Sequence, residues 1–300
     1  MARVRSMVGT AVVLVLLVLA VPGQADEAAA IKAIEKLGGK VTRDTKVAGE
    51  PIVEVRFQWS DTALTDEGLR VLKELKHLQS LNLSSHTRVT DAGMKQLKEL
   101  KSLRELHLIG TSVTGVGLRE LKGLKNLHTL VLGSTKVTNM DLKELKELKT
   151  LRELGLGDTA ITDAGLKGLK ELKMLKVLDL KITKVTGVGM RELKGLKCLQ
   201  NLDLSRSRVT DAGMKELKEL QGLRELNLAD TKVTDVGLKE LKALKNLQIL
   251  YLYGNAVTDE GLKELKGLKN LKTLGLIDTK ATDTVVKELQ VALPQLQIER

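Results

Sequence analysis

The sequence predicts an α/β repeat protein in which short strand–helix units stack on one another along the chain. Three observations lead to this fold class: a fixed leucine period, an alternating pattern in the first half of each period, and a helical leucine stripe in the second half. The 300-residue chain is 42% hydrophobic but only 1% aromatic, so its core must consist almost wholly of Leu, Val and Ile. Such a core suits many identical small layers better than one irregular globule.

The leucine period is 24 residues long. An earlier copy at Leu78 carries one extra residue, and a divergent copy begins near Ile52. A fixed period sustained over about ten consecutive units is the signature of a stacked repeat architecture. The leucines that define it are Leu103, Leu127, Leu151, Leu175, Leu199, Leu223, Leu247 and Leu271.

The first 25 residues have the pattern of a signal peptide. Arg3 and Arg5 precede an apolar run from residue 8 to 21, and small residues stand at Gly23 and Ala25. We expect cleavage after Ala25 and therefore an exported protein, secreted or periplasmic. The run is shorter than the roughly 20 apolar residues of a membrane-spanning helix. If the signal is not cleaved, it would anchor the chain to a membrane.

Capping segments are expected at both ends, because an exposed terminal layer would show its leucines to water. The sequence DEAAAIKAIEKLGGK predicts an amphipathic helix that ends at Gly38 and Gly39. We therefore divide the chain into residues 1–25 (signal peptide), 26–50 (N-terminal cap) and 51–300 (repeats with a C-terminal cap). At the other end, Leu296 and Ile298 predict a last strand that closes the sheet.

Each unit reads approximately LxxLxLxxTxVTDxGLKELKxLKx. Leu106 and Leu108 alternate with polar residues, which predicts a short strand with one buried face. In the second half, leucines three apart predict a helix with one apolar stripe. Thr162 and Asp163 predict the helix start, because a hydroxyl caps free N–H groups and a carboxylate suits the positive helix end.

The segment LQILYLYGNAV, from Leu247, matches the pattern LxxLxLxxN/CxL, so the chain resembles leucine-rich repeat proteins of the exported bacterial type. The resemblance covers residues 51–300 and implies a curved horseshoe, with a parallel β-sheet on the concave face and helices on the convex face. Elsewhere a hydroxyl replaces the Asn, and we expect it to satisfy the backbone of the turn that leaves the strand. These residues are Thr111, Thr135, Thr159, Thr183, Ser207, Thr231 and Thr279.

The formal charge of +11 is concentrated in lysine columns that the repeat places on the outer helices. Interleaved glutamates favour a solvated face with pairs four apart, such as Lys143–Glu147. The alternative is a surface that binds an anionic cell-envelope polymer. Nucleic acid is not favoured as a partner, because these columns hold no aromatic residues to stack on bases.

The outward columns of the concave face vary between units, which packing alone does not require. They hold six acidic residues and two basic ones, and they include both tyrosines of the chain. We predict that this surface binds a protein or peptide, and we expect Gly275 to leave one side of the Tyr251 ring open. The predicted binding residues are Tyr251, Tyr253, Ile249, Glu225, Asn227, Ile277, Asp203 and Asp179.

Patterns of catalytic chemistry are not found in the sequence, so we predict a non-enzymatic protein without a cofactor or metal site. The four histidines lack an HExxH motif, and Cys198 is the single cysteine. Asp179 and Asp203 occupy equivalent positions on adjacent strands, where a carboxylate pair could bind a cation, but an exposed acidic patch is the favoured interpretation.

A further resemblance concerns units such as VTDAGMKEL, which are similar to the repeats of F-box adaptors that recruit substrates. This chain has no room for an F-box between Ala25 and the first repeat. The favoured function is therefore a binding scaffold.

Overall fold

The structure is a computed structural model, and it describes residues 24–57 and 64–300. Residues 1–23 of the predicted signal peptide lie outside these ranges. Gln58, an outward residue of the predicted concave face, also lies outside them. Within the described ranges, none of the helices combines the length and the apolar character needed to cross a membrane.

A single open sheet of twelve strands runs the length of the described chain, and its strands follow one another in chain order. Strands β2–β12 are parallel, and β1 pairs with β2 in the antiparallel sense. The predicted α/β solenoid, with a concave parallel sheet and convex helices, is confirmed. The strands are β1 (Gly39–Arg43), β2 (Ile52–Phe57), β3 (Ser80–Asn82), β4 (Glu105–His107), β5 (Thr129–Val131), β6 (Glu153–Gly155), β7 (Val177–Asp179), β8 (Asn201–Asp203), β9 (Glu225–Asn227), β10 (Ile249–Tyr251), β11 (Thr273–Gly275) and β12 (Gln297–Glu299).

The convex helices are shorter than the leucine stripe predicted, and most of them finish as, or consist of, 3-10 helix. The α-helices are α1 (Gln24–Lys36), α2 (Asp91–Leu97), α3 (Gly115–Glu120), α4 (Asp163–Leu166), α5 (Asp211–Leu217), α6 (Asp235–Leu238), α7 (Asp259–Lys263) and α8 (Asp283–Ala292). The 3-10 helices are Gly68–Glu74, Leu121–Gly123, Leu142–Glu147, Lys167–Leu169, Val188–Leu193, Lys239–Ala243 and Glu264–Gly267.

This helix geometry changes the ion pairing on the convex face. We expected Lys143 to pair with Glu147, but Lys125 of the preceding unit lies 3.7 Å from the Glu147 carboxylate. In a 3-10 helix the residue that lies above another is three positions away, so a spacing of four no longer aligns the side chains. At Glu147 a pair between units therefore replaces the expected pair within a helix, whereas Lys263 and Glu260, three positions apart, still pair within α7.

One continuous hydrophobic core extends from Ala30 to Leu296, built from the leucine columns of the strands and helices. At the N-terminus, α1 lays Ile34 against this core, and Gly38, with a φ of 78°, ends the helix. At the C-terminus, Ile298 of β12 lies opposite Leu274 of β11, so a final strand closes the sheet. The sequence did not predict strand β1.

The turn that leaves each strand is held by the residue at the Asn position of the repeat. The hydroxyl of Thr111 donates to the carbonyl of Leu108 at 2.7 Å, and the same bond recurs from Thr135 to Thr279. Asn255 donates to three carbonyls, including that of Leu228 in the preceding unit. The expected role of these hydroxyls is confirmed.

A ladder of aspartates and threonines joins neighbouring units where the helices begin. The Asp211 carboxylate accepts the N–H of Thr234 at 2.8 Å and its hydroxyl at 2.7 Å, and it also accepts the N–H of Gly237 at 3.0 Å. The Thr234 hydroxyl in turn caps its own helix. The sequence predicted the cap but not the bond from the carboxylate to the next unit. Equivalent pairs are Asp66–Thr90, Asp91–Thr114, Asp163–Thr186, Asp235–Thr258 and Asp259–Thr282.

Candidate protein-binding surface

The concave columns are in exact repeat register, which fixes the neighbours of every outward residue. Ile249 lies opposite Glu225, and Tyr251 lies between Asn227 on β9 and Gly275 on β11. Leu250 between them is fully buried. The outward directions predicted for Ile249 and Tyr251 follow directly from this alternation.

The two tyrosines form a half-buried aromatic pair on β10 and in the turn after it. Their ring centroids are 5.4 Å apart and the ring planes are tilted by 31°. We expected Gly275 to leave the Tyr251 ring open, but the ring of Tyr253 fills this space. A Cβ atom on Gly275 would lie 2.3 Å from Cε1 of Tyr253. Glycine is therefore needed here because an aromatic ring lies directly on the strand.

Glu299 lies beside the tyrosine pair and was not among the binding residues predicted from the sequence. The Tyr253 hydroxyl donates a hydrogen bond to the Glu299 carboxylate across β11. Glu299 lies opposite Gly275 in the sheet register. Its outward direction could have been inferred, since Ile298 in the predicted last strand must face the core and its neighbours must then face outward.

Carboxylates on both sides of the pair influence the tyrosine hydroxyls. Burial raises the pKa of Tyr251, and the negative charges of Glu299 and Glu225 raise it further. The pKa of Tyr253 is raised more strongly, by burial first and then by its hydrogen bond to Glu299. Both tyrosines are therefore neutral hydrogen-bond donors at physiological pH.

Asp179 and Asp203 are direct neighbours in the sheet, as predicted. Both carboxylates also close local turns at the strand ends. Asp179 accepts the N–H of Lys181 at 2.9 Å, and Asp203 accepts the N–H and the hydroxyl of Ser205 at 2.9 and 2.7 Å. The Lys181 ammonium lies 3.4 Å from Asp179. These bonds give both aspartates a structural role in addition to their place on the surface.

An open groove of about 260 Å³ lies over strands β6–β9. Asp179, Asp203, Glu225 and Asn227 all line it. Four of the predicted residues therefore share one concavity, and Ile249 and Tyr251 lie beside Glu225 and Asn227 on the next strand. Ile277 is 44% exposed, which leaves an apolar side chain open to a partner.

The charge of this region comes from carboxylates that bond to neutral groups. Asn201 donates to Glu225 at 2.6 Å, Tyr253 donates to Glu299, and Ser205 donates to Asp203. The outward positions of β8–β12 contain no Lys or Arg, and all of these strands lie in the described part of the chain. This end of the concave face is therefore acidic although the protein carries a net charge of +11.

Other chemistry is not concentrated on this surface. Within residues 24–57 and 64–300, no three His, Cys, Asp or Glu side chains are grouped as metal ligands would be. His107 lies on the concave strand β4, as expected. His86 is instead buried at the Asn position of its turn, and this burial lowers its pKa.

The chain belongs to the leucine-rich repeat family. The family model of a leucine-rich repeat region matches residues 118–299, and a second leucine-rich repeat model matches residues 74–98. The resemblance stated from the sequence is thus confirmed. Repeat solenoids of this kind present extended concave surfaces for binding, and the family typically binds proteins.

Solved structures of bacterial proteins share this fold. The chain is similar to internalin C2 from Listeria monocytogenes, with 27% identity and a TM-score of 0.55, over 74% of this chain and 87% of that one. A leucine-rich repeat protein from Leptospira interrogans has 23% identity and a TM-score of 0.50, over 77% and 74% of the two chains. The second likeness shows the fold alone. No curated protein matches the chain.

Proposed function

We propose that this protein is an exported, non-catalytic scaffold that binds a protein or peptide through its concave β-sheet. The observation that carries the proposal is the patch on β7–β12, where two half-buried rings, an exposed isoleucine and several carboxylates occupy neighbouring outward positions beside an open groove. Tyrosine is a frequent anchor of protein interfaces because it combines a large apolar surface with one polar group. Export is inferred from the N-terminal sequence.

The form of the surface supports a macromolecular partner. The groove is open along the sheet, and a single layer of strands cannot enclose a small molecule as an active-site cleft does. The outward columns also differ from unit to unit while the core positions repeat, so the surface is free to match one particular partner.

The convex face is less favourable for binding a polyanion. Several of its lysines are already paired with glutamates of the neighbouring unit: Lys242 lies 2.5 Å from Glu264, and Lys266 lies 2.7 Å from Glu288. An anionic polymer would have to replace these contacts, so we retain the concave face as the binding surface.

Affinity capture tests the proposal. Residues 26–300 are immobilised and exposed to an extracellular and envelope extract of the source organism, beside the double variant Tyr251→Ala, Tyr253→Ala. We expect the wild type to retain a protein partner that the double variant loses. No retained protein above the bare matrix would refute the scaffold function, and equal retention by both chains would refute this patch.

A matched control uses the same repeat positions on β4, where His107→Ala and Ile109→Ala replace the equivalents of Tyr251 and Tyr253. Ile109 is 40% exposed, so its removal alters the surface to a similar degree. The control lies six strands away, or about 29 Å at the usual strand spacing. We expect it to retain the partner. Thermal melts of all variants establish that each remains folded.

A further inference from the structure

The tyrosine pair lies between two carboxylates, each of which accepts a hydrogen bond from a neutral group. Glu225 approaches from β9 and accepts its hydrogen bond from the amide of Asn201. Glu299 approaches from β12 and accepts from the hydroxyl of Tyr253. Both donors are neutral, so neither carboxylate is neutralised by its partner. On the convex face, by contrast, acidic groups such as Glu264 are paired with lysines.

The outer end of the Tyr253 ring lies against β11, where a Cβ atom on Gly275 would come within 2.3 Å of Cε1 and 2.4 Å of Cζ. The side chain is half-buried, so part of the ring remains exposed to solvent. Aromatic faces attract ammonium and guanidinium groups, and the attraction is stronger where water is partly excluded. Carboxylates beside the ring add to this attraction and disfavour an anion.

Apolar side chains complete the surroundings of the rings. Ile249 precedes the pair on β10, and Ile277 stands 44% exposed beyond the end of β11. The patch thus combines aromatic rings, carboxylates and aliphatic groups within about three strand spacings, or roughly 15 Å. A partner that contacts all three kinds of group must carry a cationic side chain and an apolar side chain within a few residues of each other.

Building on the proposed function, we propose that the partner presents a cationic peptide segment to this patch. A Lys or Arg side chain would lie over the tyrosine rings between Glu225 and Glu299. Apolar side chains on either side of it would contact Ile249 and Ile277. The outward positions of β8–β12, all in the described chain, offer no positive charge that would repel such a segment.

Fluorescence anisotropy with labelled peptides tests this inference. The probe is a short peptide containing arginine and leucine, and its analogue carries glutamate in place of arginine. We expect the cationic peptide to bind residues 26–300 and the analogue not to bind. Binding should weaken as salt is raised, because screening reduces attraction between exposed charges. Equal binding of the two peptides, or none, would overturn the proposal.

Charge-neutralising variants locate the site. Glu225→Gln and Glu299→Gln keep the size and one acceptor oxygen but remove the charges, so folding should be preserved. We expect each to reduce affinity for the cationic peptide several-fold, and the pair together to reduce it by about tenfold or more. Glu105→Gln is the matched control, because Glu105 is also acidic and concave but lies on β4, six strands from β10. An equal loss in the control would overturn the assignment to the tyrosine patch.

The same variants separate this inference from the proposed function. If a captured partner is lost in the double tyrosine variant but held fully by Glu225→Gln, Glu299→Gln, the scaffold function stands and the cationic partner is wrong. If the two glutamates are needed only for concentration-dependent self-association, measured by sedimentation, the occupant is a second copy of this lysine-rich chain and the peptide proposal is overturned.

Discussion

At the scale of single residues, the tyrosine pair offers a spectroscopic signal, because the chain contains only these two tyrosines. Their pKa values are raised by burial and by nearby carboxylates, so both should be less ionised at pH 10 than a free tyrosine, which is about half ionised there. We expect the tyrosinate absorbance of the folded protein to rise at higher pH than that of free tyrosine. Glu299→Gln should lower the pKa of Tyr253 towards its ordinary value.

The raised tyrosine pKa values also determine how the stability of the protein changes with pH. Because the folded state holds its tyrosine protons more tightly than the unfolded chain, their contribution is fully present below about pH 10 and is lost as the pH rises further. Identical absorbance titrations for the wild type and Glu299→Gln would contradict the hydrogen bond between Tyr253 and Glu299.

Ile182 has a backbone conformation that is unfavourable for a β-branched side chain. Its φ is 55°, and the equivalent positions in other units include Gly110 and Gly254. A left-handed conformation is strained for a β-branched residue, and the exposed side chain recovers little by packing. We expect Ile182→Gly to raise the free energy of unfolding by about 1 kcal/mol, as measured by urea denaturation.

Ile109 provides the matched control for this substitution. It is exposed to a similar extent and lies at the neighbouring repeat position, but it is not among the residues with positive φ. Ile109→Gly should therefore lower stability, by about 0.5–1 kcal/mol, because glycine loses more backbone entropy on folding. A stabilising effect at both positions would contradict the strain assigned to Ile182.

At the scale of elements, the aspartate–threonine ladder explains an exchange of residues between two units. Where Gly115 replaces the ladder aspartate, the next unit carries Asp141 at a position that is glycine in most units. The Asp141 carboxylate then accepts both the N–H and the hydroxyl of Thr138 at 2.8 Å. A carboxylate thus occupies nearly the same place, but it is supplied by the following unit.

This exchange predicts strong coupling between the two positions. Gly115→Asp alone should be destabilising, because a Cβ there would lie 2.0 Å from Oδ1 of Asp141. Asp141→Gly alone should cost about 1–3 kcal/mol, since Thr138 loses its acceptor. The double variant restores the ordinary ladder, so we expect its stability to approach that of the wild type. A double-mutant cycle in urea measures the coupling, and additive effects would contradict this account.

The elements that sequence could predict are those fixed by a period. Leu250 had to be buried and Tyr251 outward, because alternation in a strand leaves no other arrangement. Strand β1 could not be predicted in this way, since it stands outside the repeat and only Gly39 in it is buried. The side-chain direction of Tyr253 was also beyond reach, because it depends on the absence of a side chain at Gly275 in the next unit.

At the scale of the whole molecule, the solenoid should tolerate the loss of one complete unit. Each unit contacts chiefly its neighbours, so stability is approximately a sum over units and interfaces. Deleting residues 163–186 removes 24 residues and joins Thr162 to Gly187. Thr162 keeps its hydrogen bonds to Asn139 in the shortened chain. Gly189 then takes the place of Gly165, which packs against the Asn139 side chain.

We expect this shortened chain to fold cooperatively, with a lower melting temperature and a urea m-value reduced by about a tenth, because less surface is exposed on unfolding. The deletion removes β7 but leaves both tyrosines, Glu225 and Glu299 in place, so the anisotropy experiment should give unchanged affinity for the cationic peptide. Deleting residues 163–174 instead removes half a period. The helical segment of one unit would then lie where the strand of that unit must pair with its neighbours. That chain should fail to fold, and if the two deletions proved equally stable in circular dichroism melts, the unit-by-unit account of stability would be wrong.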